Sequence, residues 1–221
     1  MKALLHNLKL VHLLTRPEDE REVKSVKSIS RLIEYGFPYI KRVNEPATEY
    51  PLGSKTFFNH EVKSPGYWGN YNAFKDAILE EFDSEFLMIC ECDCDIEISC
   101  NEFVDLVNKV CDVMKREEIY YFSFGDTDGS SKDGDIDGVE FMHYVDKIIG
   151  CHCILFHKSA KKFLQRSFQR EEWDSIDLYF SCIFREAPFK TAVLTNGRVC
   201  RQLEGFSLLE NKYVCNGKKT S

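Results

Sequence analysis

The chain has 221 residues, of which 43% are hydrophobic and 29% are charged, and its formal net charge is −7. This composition is ordinary for a soluble globular protein, and an acidic chain without a basic block is a poor partner for nucleic acids and anionic membranes. No apolar run approaches membrane-spanning length, and His6, Asn7 and Lys9 interrupt the apolar N-terminal segment. We therefore expect a cytoplasmic protein with no secretion signal and no membrane insertion.

The N-terminal third predicts a strand, a helix and a second strand. Leu8–Leu14 is apolar and strand-like, and Pro17 with the following acids is typical of a helix start. Apolar residues with helical spacing then predict a helix through Tyr35 that ends at Gly36, and they are Val23, Val26, Ile29 and Ile33. Tyr39–Val43 is the second predicted strand. This order is a βαβ unit, which implies parallel strands.

The rest of the chain continues to alternate between helices and strands. Periodicity predicts helices over 66–82, 101–116, 158–167 and 172–184. Strands are predicted over 119–124, 139–145, 148–150, 152–157 and 191–195. No internal repeat, low-complexity tract or linker interrupts the sequence, so we predict a single α/β domain over residues 1–221.

The stretch 86–97 begins as an apolar run and continues as cysteines that alternate with acids, among them Glu91, Asp93 and Asp95. If the strand persists, these acids lie on one face and the cysteines on the other. Three carboxylates in a row repel one another unless a cation lies among them, so neutralising one should not destabilise the fold. Hard divalent cations prefer oxygen ligands, so the pattern predicts a cation site at the end of a core strand. A solvated acidic strand end without function is the alternative.

The ten cysteines indicate reduced thiols, because the chain is not small and no secretion signal is expected. Those in apolar strand-like runs are predicted to be buried small hydrophobes, namely Cys90, Cys92, Cys94, Cys151 and Cys153. A zinc site that also uses His152 is the sharper alternative. The one-residue spacings between these cysteines are shorter than those typical of structural zinc pairs, which disfavours it.

The loop 125–138 is rich in glycine and aspartate, and Asp133, Asp135, Asp137 and Gly138 match the opening of an EF-hand calcium loop. The twelfth position of that loop is Tyr144 and not glutamate, and no predicted helices bracket it. A mobile loop beside a cleft is therefore favoured.

Two acids of the predicted helix 172–184 are candidates for a catalytic role. Asp174 and Asp177 are three residues apart, which places them on one helix face, with Trp173 and Tyr179 nearby. A cap or a first-turn acid is the plainer interpretation of Asp174.

Three aromatic residues and one histidine could either contact a ligand or pack in the core. Tyr67, Trp68 and Trp173 could stack on sugar rings, but core packing is more common for such residues. Core packing is also predicted for His152, whose alternative is a metal ligand.

Several short stretches in consistent order resemble one enzyme family. They are LVHLLTRPEDERE at 10–22, VNEP at 43–46, GNYNAFKDAI at 69–78, FLMICECD at 86–93, YFSFGDT at 121–127, IIG at 148–150, WD at 173–174, DLYF at 177–180 and EGFSL at 204–208. Together they resemble the small GT-A-fold glycosyltransferases of large DNA viruses, such as the chloroviruses, and of some phages. The chain departs from the usual Asp-x-Asp motif in having Glu91 first and Cys92 in the middle. Asp93-Cys94-Asp95 offers a second register.

The resemblance implies a single GT-A-like domain with a mixed, mostly parallel sheet flanked by helices. Its nucleotide-binding half would be about 1–97, and its acceptor-side half about 98–221. Glu91, Asp93 and Asp95 would hold Mn²⁺ or Mg²⁺. The donor-binding residues would be Thr15, Arg16, Asn44, Lys75, Glu91 and Cys92, and the catalytic residues would be Asp177 and Asp174. An ordinary surface charge is the alternative for Arg16 and Lys75.

The implied activity is the metal-dependent transfer of a sugar from a nucleotide sugar to a glycan or glycoprotein. The donor would be a UDP-sugar, with glucose or L-rhamnose as guesses, and the protein would work in the host cytoplasm if it is viral. A nucleotidyltransferase of related architecture is one alternative, although residues 15–21 contain no glycine for a phosphate loop. A non-enzymatic calcium-binding module on the aspartate-rich loop is the other.

Overall fold

The computed structural model describes residues 7–16, 18–51, 64–125, 134–143, 151–170, 172–195 and 199–203, and the backbone of 205–207 and 212–214. The first half contains β1 (Leu8–Leu14), α1 (Glu20–Ser30), a 3-10 turn (Arg31–Tyr35), β2 (Tyr39–Val43), α2 (Pro65–Glu81), β3 (Phe86–Cys90) and β4 (Cys94–Ile96). The predicted helix through Tyr35 therefore ends as a 3-10 turn. Gly36 caps it with φ of +86°, which suits glycine.

The second half contains α3 (Cys100–Glu117), β5 (Ile119–Ser123), β6 (Gly134–Ile136), β7 (Val139–His143), β8 (Cys153–His157), a 3-10 turn (Lys158–Ala160), α4 (Lys161–Ser167), α5 (Ile176–Ile183), a 3-10 turn (Phe184–Glu186), β9 (Lys190–Leu194), β10 (Cys200–Gln202), β11 (Gly205–Ser207) and β12 (Lys212–Val214). Ser99 and Glu102 form a reciprocal capping box at the start of α3. Pro17, the predicted strand 148–150 and the loop residues 126–133 lie outside the described residues.

One eight-stranded sheet has the order β2-β1-β3-β8-β5-β9-β7-β6. The pairs β1·β2, β1·β3 and β5·β9 are parallel, and the other four pairs are antiparallel. Only β8 and β7 oppose the common direction, so six of the eight strands point the same way. The predicted α/β fold with a mixed, mostly parallel sheet flanked by helices is confirmed, and so is the predicted βαβ unit.

The sheet separates two hydrophobic cores. Alternate side chains of β3 face opposite sides, with Phe86, Met88 and Cys90 on one side and Leu87 and Ile89 on the other. Helices α1 and α3 cover the first side. Helices α2, α4 and α5 cover the second side. In the described part of the chain no helix is both long enough and apolar enough to cross a bilayer.

The face that α1 buries differs from the predicted one. Val23 and Ile33 are about half exposed, at 49% and 48%. The helix instead buries Glu22, Ser25 and Ser28 together with Ile29. The physical reason is hydrogen bonding, because Glu22 binds backbone amides of the turn after β1 and the two serines bind the backbone of β4, and buried backbone groups need such partners.

Residues 134–143 form a β-hairpin. Asp137 and Gly138 form its tip with φ of 54° and 80°, as in a type I′ turn. The carboxylate of Asp137 is paired with Arg116 at 3.0 Å. The EF-hand interpretation is therefore wrong for the described positions, because its third to sixth residues lie in a hairpin.

Candidate metal and substrate site

The chain turns sharply at the carboxyl end of β3, where the sequence analysis expected the strand to continue. β3 ends at Cys90, the amide of Cys94 donates to the carbonyl of Glu91 at 3.1 Å, and β4 then pairs with β10 instead of the main sheet. The prediction of three acids on one face of one strand is wrong, because this turn breaks the alternation. Asp95 instead pairs with Arg201 on β10 at 3.3 Å.

Glu91, Asp93 and His152 form what we call the carboxylate–histidine cluster. Nδ1 of His152 lies 2.8 Å from Oε2 of Glu91 and 3.6 Å from Oδ1 of Asp93. One ligand atom from each residue lies within 4.8 Å of the other two. Among the described residues, Nδ1 of His152 and Oδ1 of Asp93 are buried without an aligned hydrogen-bond partner. Three metal-binding atoms therefore converge on one point, and core packing does not describe His152.

The remaining oxygens of the two carboxylates are held from behind. Asn70 on α2 donates to Oε1 of Glu91 at 2.9 Å, and Gln202 on β10 donates to Oδ2 of Asp93 at 3.0 Å. Arg21 on α1 places Nη1 at 3.5 Å from that same oxygen. Hydrogen bonds of this kind orient metal ligands, because they leave one oxygen of each carboxylate directed at the ion.

The charges of the cluster explain its pKa shifts. Burial raises the pKa of Glu91, and the charges of Asp93 and Asp177 raise it further against the opposing effect of His152. Burial also acts to raise the pKa of Asp93, but His152, Arg21 and Gln202 outweigh burial and lower it. Burial alone would lower the pKa of His152, yet the two carboxylates raise it well above its usual value. In the absence of metal a proton on His152 therefore occupies the place that suits a cation.

The turn after β1 is organised by a buried carboxylate. Glu22 accepts from the amide of Thr15 at 2.9 Å and from the amide of Arg16 at 2.8 Å. The side chain of Arg16 is exposed, whereas the side chain of Arg21 is only 11% exposed. These two backbone amides are thus occupied within the protein, so phosphate contacts at this turn would have to come from side chains.

The other predicted donor-binding residues lie near this edge of the sheet or on α2. Asn44 directly follows β2, and its side-chain nitrogen is buried without a hydrogen-bond partner among the described residues. Lys75 is a half-buried residue of α2. Cys92 lies in the turn between the two acids of the cluster, and burial raises the pKa of its thiol well above the usual value.

Asp174 and Asp177 do not share a helix face, because α5 begins at Ile176. Asp174 is 2% exposed, precedes the N-cap residue Ser175 and accepts from the amide of Ser175 at 2.8 Å, but it does not cap the helix. Asp177 belongs to the first turn, and its charge contributes to the raised pKa of Glu91. Its Oδ1 is buried without an aligned hydrogen-bond partner among the described residues, and its carboxylate neighbours the thiol of Cys151.

The predicted sugar-stacking aromatics mostly pack on one another. Trp173 is 3% exposed and meets Trp68 edge to face, with ring centroids 4.6 Å apart. Tyr71 lies 6.1 Å from Trp173 and 4.9 Å from Tyr179 by the same measure. The plainer interpretation, core packing, is confirmed for Trp173, which packs in this aromatic group.

Sequence reasoning missed Arg21, Asn70 and Gln202 as parts of the site and assigned His152 to the core. Arg21 and Asn70 lie inside stretches that carried the family resemblance, which was a usable signal. Gln202 had no such signal, because it lies 109 residues from Asp93 in the sequence. The pairing of β10 with β4 brings the two residues together.

No protein-family model and no curated protein matches the chain. A glycosyltransferase involved in the glycosylation of the major capsid of PBCV-1 is 11% identical with a TM-score of 0.39, covering 73% of this chain and 65% of that one. The chain therefore spans less than two thirds of that enzyme.

Two further solved structures are similar in part. A protein from STIV is 12% identical with a TM-score of 0.47, and the match covers 96% of both chains. A mutant UDP-glucose pyrophosphorylase of Leishmania major in complex with UDP-Glc is 13% identical with a TM-score of 0.26, covering 91% of this chain and 50% of that one. At these TM-scores none of the similarities assigns an activity to the chain.

Proposed function

We propose that the chain is a divalent-metal-dependent glycosyltransferase that moves a sugar from a UDP-sugar to a hydroxyl group of a glycan. The observation that carries the proposal is the convergence of Glu91 Oε2, Asp93 Oδ1 and His152 Nδ1 on one point. That point lies where β3 ends and β8 begins, at the edge where ligands bind in open α/β sheets.

The donor set suits a particular group of ions. Two carboxylates suit Mg²⁺ and Mn²⁺, and an imidazole ligand favours the transition metal, so Mn²⁺ is the first choice and Mg²⁺ the second. The side chains of Glu91 and His152 are 12% and 18% exposed, which leaves a recessed opening through which phosphate oxygens can complete the coordination.

The reaction breaks the bond between the anomeric carbon and the phosphate oxygen and forms a bond from that carbon to the acceptor oxygen. The nucleoside diphosphate leaves with the electron pair, and the acceptor hydroxyl gives up its proton. A bound divalent ion would neutralise the negative charge that develops on the leaving diphosphate. Arg21 adds a positive charge at the same place, and its buried Nη1 has no aligned partner among the described residues.

Asp177 is the proposed catalytic carboxylate. Two observations support this proposal: the charge of Asp177 raises the pKa of Glu91, and the Asp177 carboxylate neighbours the thiol of Cys151, the residue before His152. A carboxylate in this position can accept the proton of the acceptor hydroxyl or stabilise positive charge on the sugar. Asp174 is less suited, because its Oδ1 already accepts from the amide of Ser175.

A nucleotidyltransferase would use similar ions but usually cradles phosphates with the amides of a glycine-rich turn after the first strand. Here the amides of Thr15 and Arg16 are already bound to Glu22. This arrangement favours the glycosyltransferase.

The test is a thermal-shift panel of UDP, ADP, GDP and CDP, each with and without Mn²⁺. A ligand that binds only the folded state stabilises it by about 2.7 kcal/mol at one hundred times its Kd. We expect the largest rise in Tm for UDP with Mn²⁺, and radiolabelled UDP-glucose and UDP-L-rhamnose then test the donor. Asp95→Asn is the matched control, because Asp95 belongs to the same acidic stretch but pairs with Arg201. The rise should vanish in Asp93→Asn and persist in Asp95→Asn. No rise with any nucleotide at millimolar concentration would overturn the proposal.

A further inference from the structure

A second group of metal-binding side chains lies in the core, and we call it the thiol cluster. The sulfurs of Cys90, Cys94 and Cys153 lie within 4.8 Å of one another. Cys200 on β10 neighbours Cys94 and Cys153, although its sulfur does not belong to the group of three within 4.8 Å. All four side chains are 0% exposed, so the cluster is closed to solvent.

The four thiols come from four different strands. Cys90 on β3 and Cys153 on β8 are direct partners across an antiparallel pair, while Cys94 and Cys200 belong to β4 and β10. Cys90 and Cys94 are separated by three residues, including the turn that carries the two acids. This spacing lies within the two to four residues typical of zinc-binding cysteine pairs, once Cys92 between them is set aside.

The separation of two of the sulfurs matches one edge of a zinc thiolate tetrahedron. Sγ of Cys90 and Sγ of Cys153 are 3.7 Å apart. With zinc–sulfur bonds of about 2.3 Å, the edge of a regular tetrahedron of sulfurs is about 3.8 Å. The cluster contains only sulfur ligands, which select soft ions such as Zn²⁺ over Mg²⁺, Ca²⁺ or Mn²⁺.

We propose that the thiol cluster holds one structural Zn²⁺ ion. All four positions of a tetrahedral ion would be taken by protein sulfur, which leaves no opening for a substrate and makes the site structural. The coordinating thiols release their protons to solvent as the ion binds, and no electrons are transferred.

Such an ion would fasten the β4–β10 ribbon to the main sheet. β4 and β10 pair only with each other, whereas β3 and β8 belong to the eight-stranded sheet. The ligands of the thiol cluster alternate along the chain with residues of the carboxylate–histidine cluster. Glu91 and Asp93 lie between Cys90 and Cys94, and His152 precedes Cys153. The ion would therefore hold the turn that positions those residues, whatever reaction the protein performs.

The first test is elemental analysis of the purified full chain after removal of any histidine tag. We expect about one zinc per chain, with the zinc lost in Cys153→Ser. Cys111→Ser is the matched control, because Cys111 is a buried thiol of the same core that is not in the cluster. Asp93→Asn should keep its zinc, which separates this ion from one bound at the carboxylate–histidine cluster. Zinc that is absent from the wild type, or retained in Cys153→Ser, would overturn the proposal.

A second measurement covers the case in which Cys153→Ser does not fold. Wild-type protein prepared with Co²⁺ should show the near-ultraviolet thiolate charge-transfer bands and the intense visible bands of tetrahedral cobalt. Weak octahedral bands without charge transfer would overturn the proposal. A disulfide between Cys90 and Cys153, found by mass spectrometry of the folded protein, would overturn it as well.

Discussion

The carboxylate–histidine cluster and the thiol cluster are built on the same backbone segments but present opposite chemistry. Between Cys90 and Cys94, and again at His152 and Cys153, adjacent residues supply one cluster and then the other. The side chains of Glu91, Asp93 and His152 are 8–18% exposed, whereas the cysteines of the thiol cluster are fully buried. A turn and a strand end can thus deliver hard ligands to the sheet edge and soft ligands to the core.

The two clusters differ in how an ion could reach them. In the carboxylate–histidine cluster the ligand side chains are partly exposed, so an ion there could exchange with solvent. In the thiol cluster, an ion would be part of the fold and would leave only when the structure opens.

The largest expected effect comes from removing zinc from the thiol cluster. Protein refolded from denaturant with Zn²⁺ should melt more than about 10 °C above protein refolded with EDTA, because structural zinc contributes much of its binding energy to folding. Scanning calorimetry measures the difference, and Cys111→Ser should behave like the wild type. Equal Tm values after both treatments would contradict the assignment of a structural ion.

The next largest effect is on catalysis at the carboxylate–histidine cluster. Asp93→Asn should lower the rate of sugar transfer by about 10³-fold, because the developing charge of the leaving diphosphate loses its counter-ion. Initial rates with Mn²⁺ check this, and Asp95→Asn should stay within a few fold of the wild type. Comparable losses in both variants would mean that the acidic stretch acts through its total charge and not through the cluster geometry.

A third substitution separates catalysis from metal binding. Asp177→Asn should reduce kcat and kcat/KM together by about 10²- to 10³-fold while UDP affinity stays unchanged, as for an interaction made mainly in the transition state. Steady-state kinetics and UDP titration on Asp177→Asn and Asp174→Asn should be compared. Normal turnover in Asp177→Asn with loss in Asp174→Asn would exchange their roles.

A buried histidine beside both clusters predicts an acid-sensitive step. His12 lies 3.0 Å from both the Tyr39 hydroxyl and the Ser25 hydroxyl, and Ser25 donates to the carbonyl of Cys94 at 2.7 Å. Burial lowers the pKa of His12 from 6.5 to about 4.

The unfolded chain therefore binds this proton more tightly than the folded protein does. Its contribution to stability is fully present above pH 6.5 and is lost as the pH falls through about 4. The loss should reach roughly 3 kcal/mol, measured by urea unfolding across this range. The slope of stability against pH should flatten in His12→Gln, and an unchanged slope would show that other groups cause the acid sensitivity.

The smallest expected effect is on stability, and it distinguishes the two carboxylates of the carboxylate–histidine cluster. In metal-free protein at pH 7, Asp93→Asn should lower the free energy of unfolding, because the pKa of Asp93 is lowered and its charged form supports the fold. Glu91→Gln should be neutral or stabilising, because the pKa of Glu91 is raised. Shifts of about 1 kcal/mol correspond to about 2–4 °C in Tm. Equal shifts of the same sign would contradict the assigned environments.

The like-charge argument drawn from the sequence fits only one of these residues. The sequence counts three neighbouring acids, so it predicts that neutralising any of them costs no stability. The structure adds His152, Arg21 and Gln202 around Asp93, and their combined effect outweighs burial, so the pKa of Asp93 is lowered. The partners of Glu91 do not outweigh its burial, so the original argument holds there.

The five helices, the βαβ start and strands β1, β2, β3, β5, β7, β8 and β9 follow from local sequence, because hydrophobic periodicity and capping act over a few residues. Strands β6, β10, β11 and β12 were not predicted, and β4 was expected to continue β3. Tertiary contacts determine which acids meet His152, why Asp95 turns away, and that the thiols of Cys90, Cys94 and Cys153 converge. Each of these depends on contacts such as Cys90 with Cys153, 63 residues apart, and Asp93 with Gln202, 109 residues apart. The pairings of β3 with β8 and of β4 with β10 create those contacts, and a local pattern contains no information about which strands become neighbours.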